Sequence, residues 1–111
     1  MSGRLVLCRG LPVCKGVAHG KIKKISGRSG QNVCKGDIVV LHSSDPTFVL
    51  SVMQAGGVIV ERGGRLAHLC VIALEMGIPC ITAVENAMEI LADGQQVMMD
   101  AEEGNIYAVG D

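Results

Sequence analysis

One histidine, His68, follows a glycine pair and an arginine in the run Gly63-Gly64-Arg65-Leu66-Ala67-His68. An imidazole is largely neutral near pH 7 and offers a nitrogen lone pair, so it can attack an electrophilic centre such as phosphorus. The local pattern predicts that a helix starts at or near His68: the apolar run Val58 to Val60 reads as a buried strand, gives way to the glycines, and a helical run follows. A helix start leaves backbone N–H groups unpaired and carries the positive end of the helix dipole, which favours phosphate or another anion. Gly63 and Gly64 can bring their own N–H groups close to such an anion, and Arg65 adds a positive charge. His68 is therefore the candidate catalytic residue, with Gly63, Gly64 and Arg65 shaping a phosphate site. An isolated histidine is more often a cap or a core residue without chemistry, so the pattern around it carries the argument.

Other chemistry is thinly represented. Gly16-Val17-Ala18-His19-Gly20-Lys21 approaches a nucleotide-binding phosphate loop but has the wrong spacing and is followed by Ile22. No glycine-rich dinucleotide fingerprint and no carboxylate cluster for magnesium stand out. His19 and His42 lack ligand partners at useful spacing, and Cys70, two residues after His68, reads as core packing. The residues can carry a phosphoryl group, but none of these motifs makes or spends one.

The elements that must position His68 read as a layered α/β domain. Leu5 to Cys8 reads as a first strand, then a loop bounded by Gly10 and Gly16, then a strand from Ala18 to Ile25 with lysines on its outer face. Gly27 to Asn32 is turn composition. Asp37 to Leu41 is a buried strand, and Ser43-Ser44-Asp45-Pro46 offers caps for a helix whose apolar face is Phe48, Val49, Val52 and Met53. Strand Val58 to Val60 completes one βαβ unit, and the His68 helix leads through Gly77 and Pro79 to strand Cys80-Ile81-Thr82 in a second. Consecutive units of this kind imply a parallel sheet, whereas the hairpin turning at Ala101 to Gly104 is antiparallel in character. The expectation is three layers: a central parallel sheet, helices on one side, a smaller antiparallel sheet on the other.

Composition narrows the function. At 111 residues, with 49% hydrophobic, the chain reads as one domain, 1–111. Phe48 and Tyr107 are the only aromatics, which argues against single-stranded nucleic-acid binding by base stacking. The longest apolar run after the start, Leu69 to Leu74, falls far short of a membrane span. Five cysteines without paired close spacing fit a reducing cytoplasm, and neither a zinc site nor a disulfide framework is expected. Residues 1–42 hold eight Lys or Arg against Asp37, and residues 43–111 hold ten acids against Arg62 and Arg65. The plain reading of that asymmetry is two oppositely charged faces; the sharper one is a basic part that docks on an acidic neighbour domain.

The residues Gly63 to His68 and Ala73-Leu74-Glu75-Met76-Gly77-Ile78-Pro79 resemble the phosphohistidine, or swivelling, domain of enzymes that use phosphoenolpyruvate. Phosphoenolpyruvate synthase, pyruvate phosphate dikinase, enzyme I of the sugar phosphotransferase system and rifampicin phosphotransferase carry it. Gly10 to Gly20, Gly36 to Val40, Asp45-Pro46, Asp93-Gly94 and Asp100 to Tyr107 extend the resemblance over nearly the whole chain. It implies the β/β/α swivelling fold. It also implies that His68 accepts a phosphoryl group from phosphoenolpyruvate or ATP and passes it between partner active sites. Those partners would be an ATP-grasp-like nucleotide-binding domain, a phosphoenolpyruvate-binding barrel, or both. Magnesium would belong to them, and this domain would bind no cofactor. Three residues depart from the family pattern: Leu66 and Ala67 replace hydroxyl or thiol residues, and Leu74 stands where an arginine is usual. The alternative is a swivelling-fold module without chemistry, which binds a partner or a second copy through the apolar His68 helix.

Overall fold

The computed structural model describes residues 5–26 and 33–109. The turn expected over 27–32 lies outside them. Eight strands follow the order β1-β8-β7-β3-β4-β5-β6-β2. They are β1 (Val6–Arg9), β2 (Leu11–Cys14), β3 (Val17–Ile25), β4 (Ile38–Ser43), β5 (Gly57–Arg62), β6 (Cys80–Thr82), β7 (Gln96–Asp100) and β8 (Asn105–Ala108). The helices are α1 (Val49–Gln54), preceded by a 3-10 turn over Pro46–Phe48, α2 (His68–Met76) and the short α3 (Ala87–Ile90).

The order conceals two layers. β3 serves both: Val17 to Lys21 pair antiparallel with β7, and Ile22 to Ile25 pair parallel with β4. Strands β3, β4, β5 and β6 run parallel, and β1, β8, β7 and the first half of β3 form the antiparallel layer. Side chains on a strand alternate in direction, so the central strands feed two cores at once. Val39 and Leu41 of β4, with Val58 and Val60 of β5, pack with Val52, Leu69, Cys70 and Ala73 of the helices. Ile38, Val40 and Ile59 point the other way, against Val97, Met99 and Ile106 of the antiparallel layer. This is the expected helix, parallel-sheet, antiparallel-sheet sandwich. The four residues Ile38 to Leu41 are all 0% exposed, which is why the segment reads as an unbroken apolar run.

The segment between Gly10 and Gly16 is a strand, where the sequence suggested a loop. β2 adds to the edge of the parallel layer beside β6, while β1 lies at the edge of the antiparallel layer beside β8. The two are one strand path broken at Gly10, whose N–H donates to the Gly104 carbonyl at 2.9 Å. A four-residue strand holding Pro12 gives little periodic signal, and its partner β6 lies some seventy residues away.

Local chemistry sets the 3-10 turn that leads into α1 and the end of α2. The Asp45 carboxylate accepts from the Thr47 N–H at 2.9 Å and the Thr47 hydroxyl at 2.8 Å, with Pro46 at the first turn position. At the other end of α2, Gly77 adopts φ 73°, and the Gly77 and Ile78 N–H groups return to the Leu74 and Ala73 carbonyls.

Candidate functional site

His68 is the first residue of α2, and its side chain is exposed. β5 ends at Arg62, so His68 lies at the carboxyl-end side of the parallel strands, where open α/β sheets present their loops. The residue before it, Ala67, has no side chain to cap the helix. The cap comes instead from Ser44, just after β4, whose hydroxyl accepts from the Leu69 N–H at 2.8 Å. One orphan donor of the helix start is thereby filled by a residue that follows a neighbouring strand.

The loop between β5 and α2 is tied from below. Thr82, fully buried at the end of β6, donates its hydroxyl to the Gly63 carbonyl at 3.0 Å. Gly63 has φ 147°, and the Ala67 N–H closes the turn on the Gly64 carbonyl at 3.1 Å. Gly63 thus has a conformational reason to be glycine. Gly64 is outside the left-handed region, and a Cβ there would meet nothing within 4 Å. Its bareness keeps the surface beside His68 open. Leu66, 90% exposed, projects from the same loop.

The two arginines diverge. Arg65 lines a cleft of about 340 Å³ with Pro12, Val13, Lys15 and Glu102, over the edge strand β2. Arg62 and Gly63 line a second cleft, of about 500 Å³, with Glu61, Ala83, Glu85 and Asn86. His68 lines neither. The structure therefore places Gly63, Gly64, Arg65 and His68 on one exposed loop and helix mouth, with Arg65 lining the cleft that it shares with Lys15 and Glu102. His42 has the partner that the sequence did not supply, since its Nε2 stands 3.8 Å from the Glu61 carboxylate. Leu74 is 53% exposed on the solvent side of α2, clear of the core formed by Leu69, Cys70 and Ala73.

Sequence reasoning missed the two supports, Ser44 and Thr82. Ser44 did show as a capping residue, but for the helix that follows it; Asp45 caps the 3-10 turn leading into that helix, and Ser44 serves α2, its hydroxyl meeting Leu69, 25 residues on. Thr82 gave no signal beyond being the polar end of a strand. Among the described residues, no group of three His, Cys, Asp or Glu side chains is arranged to hold a metal ion. Among those residues, too, no helix is long and apolar enough to cross a membrane.

Fold and site together define a three-layer α/β domain that presents a histidine at a glycine-flanked helix mouth. Residues 33–104 match the family described as PEP-utilising enzyme, mobile domain, and the chain belongs to that family. It is 36% identical over 109 residues to a phosphoenolpyruvate synthase of Neisseria meningitidis, covering 95% of this chain and 14% of that protein. It is 37% identical over 97 residues to a rifampicin phosphotransferase of Bacillus cereus, covering 87% of this chain and 11% of that protein. The chain thus spans about one seventh of the length of these relatives or less, and in them the mobile domain is one part of a larger protein. Among solved structures, one from Thermococcus kodakaraensis aconitase X matches with TM-score 0.69 and 16% identity, covering 98% of this chain and 100% of that chain; this likeness is one of fold.

Proposed function

We propose that this domain is a phosphoryl carrier that accepts a phosphoryl group on His68 and passes it between partner active sites of a phosphotransferase linked to phosphoenolpyruvate or ATP. The observation that carries the reading is an exposed imidazole on the first residue of a helix, four residues after a glycine whose side has open space. Attack by an imidazole nitrogen on the terminal phosphorus of the donor forms the N–P bond as the bond from phosphorus to the leaving oxygen breaks. The added dianion then sits by the helix start, where unpaired N–H groups and the dipole favour it. Exposure on one face lets partner sites reach the same atom in turn. In this proposal an ATP-grasp-like domain, a phosphoenolpyruvate-binding barrel, or both supply donor, acceptor and magnesium. In the same proposal Gly63, Gly64 and Arg65 shape the phosphate site, Arg65 from the loop where it also lines the cleft with Lys15 and Glu102.

The test is intact mass under non-acidic conditions after wild type and His68→Ala are incubated with phosphoenolpyruvate and magnesium in extract from the source cells. One phosphoryl group on wild type alone is expected. The same label on His68→Ala would remove His68 from the reaction. No label on either, beside a labelled control phosphohistidine protein, would favour the second reading, an interaction module. That reading is favoured by exposed Leu66 and Leu74 flanking the site, at 90% and 53%. It expects concentration-dependent association weakened by Leu74→Arg, and a monodisperse monomer at high concentration would count against it.

A further inference from the structure

Three loops far apart in sequence meet over the edge strand β2. Lys15 stands in the turn between β2 and β3, Glu102 in the turn between β7 and β8, and Arg65 in the loop between β5 and α2. With Pro12 and Val13 they line the cleft of about 340 Å³. Backbone hydrogen bonds tie its walls together. The Ala101 N–H donates to the Gly16 carbonyl at 2.8 Å, the Gly10 N–H donates to the Gly104 carbonyl at 2.9 Å, and Thr82 holds Gly63, two residues before Arg65. A Cβ on Gly104 would lie 3.2 Å from the Pro12 ring, so the β7–β8 turn rests against the apolar wall. The cleft is built by contacts between distant segments rather than by one loop.

Its charges do not cancel. Among the described residues, neither Lys15 nor Arg65 has a carboxylate within the 4.0 Å of an ion pair, although Glu102 lines the same cleft. The Asp100 carboxylate is occupied inside its own turn, accepting from the Glu102 N–H at 2.9 Å. An ammonium and a guanidinium without counter-charge favour an anion that offers several oxygens. A phosphate monoester, with about 1.5 to 2 negative charges near pH 7, suits two cations better than a single carboxylate does. The volume is at the small end for ligand sites, which run from about 300 to 1,000 Å³, so the ligand is small. Glu102 repels a second anionic group and can accept a hydrogen bond from a hydroxyl.

We propose that this cleft is a binding site for a small phosphate monoester that carries a free hydroxyl. Lys15 and Arg65 take the phosphate, Pro12 and Val13 bear on the carbon skeleton, and Glu102 accepts from the hydroxyl. His68 lines no part of the cleft, so the site does not require His68 to carry phosphate. The two are nonetheless joined by the chain: Arg65 lies three residues before His68, and a ligand held by Arg65 restrains the loop that leads into α2.

The test is titration of the ¹⁵N-labelled chain with glycerol 3-phosphate, and separately with inorganic phosphate, at constant ionic strength, followed by amide chemical shifts. Saturable shifts are expected at Lys15, Gly16, Arg65 and Glu102, with glycerol 3-phosphate binding more tightly than inorganic phosphate. Lys15→Met, on an exposed turn, should weaken both by about fivefold, the loss of one exposed charge contact. Glu102→Gln should tighten inorganic phosphate by a similar factor and narrow the preference for glycerol 3-phosphate. Shifts that grow linearly without saturating would overturn the proposal, as would binding unchanged in Lys15→Met. Saturable shifts confined to Leu66 to Leu69 would place the anion at the helix mouth, overturning the cleft while supporting the phosphate site at His68. Saturable binding at the cleft in His68→Ala, with no phosphoryl label on wild type in the mass assay, would uphold the cleft and count against the carrier.

Discussion

Replacing Gly10 by alanine tests the account of how the two sheets are joined. At Gly10 the chain leaves the antiparallel layer and enters the parallel one. A Cβ there would overlap the Val84 Cγ2 methyl, lie 2.5 Å from the Thr82 carbonyl oxygen, and lie 2.8 Å from Ile81 Cγ2. Ordinary contact for such an atom begins near 3.4 Å, so the overlap is close to a full ångström. The carbonyl belongs to β6 and cannot rotate aside as a flexible side chain would. Overpacking of this kind costs about 1–3 kcal/mol, while alanine returns about 0.4–1 kcal/mol by restricting the unfolded chain. With backbone as the obstacle, a net loss of about 2 kcal/mol is expected, which lowers Tm by roughly 8 °C for a domain of this size. The displaced residue is Thr82, which holds Gly63, so the loop before His68 should loosen as well. The assay is thermal unfolding by circular dichroism, with Gly64→Ala as comparator. Nothing lies within 4 Å of a Cβ on Gly64, and its Tm should stay at wild type or rise by about 2–4 °C. A Gly10→Ala protein that melts with wild type would refute the tight crossing.

Two further substitutions separate stability from chemistry. Ser44→Ala removes the partner of the Leu69 N–H and should cost about 1 kcal/mol in urea unfolding, as a lost helix cap does; an unchanged midpoint would mean that water replaces the hydroxyl without loss. Leu74→Arg changes a half-exposed side chain and should shift stability by no more than about 0.5 kcal/mol. If the arginine usual at this place in the family pairs with the phosphate, the variant should also retain a larger phosphorylated fraction than wild type in the labelling assay. An equal or smaller fraction would show that the missing guanidinium does not limit this domain.

The order and type of most elements were legible because local chemistry fixes them. β4 and β5 are buried on both faces, so they had to be continuous apolar runs, and the capping by Asp45 of the 3-10 turn before α1 and the closure of α2 by Gly77 rest on neighbours in sequence. β2 escaped, because a short edge strand with a proline is defined by its partner rather than by its own pattern. The site divides the same way. Its histidine, glycines and helix mouth lie within six residues, whereas the Ser44 cap and the Thr82 anchor arrive from strands 25 and 19 residues away.

What the sequence alone determined is therefore the set of short-range facts: which residues form most of the strands and helices, where α2 begins, and that a histidine stands at its start shortly after two glycines. Hydrogen-bond capping, backbone freedom and side-chain alternation act over a few residues, so a linear string records them. The tertiary structure alone decided that Arg65 shares a cleft with Lys15 and Glu102, that His42 meets Glu61, and that the Ser44 hydroxyl caps α2. Those pairings depend on how two sheets cross at Gly10 and along β3, a geometry set by packing between segments far apart in the chain.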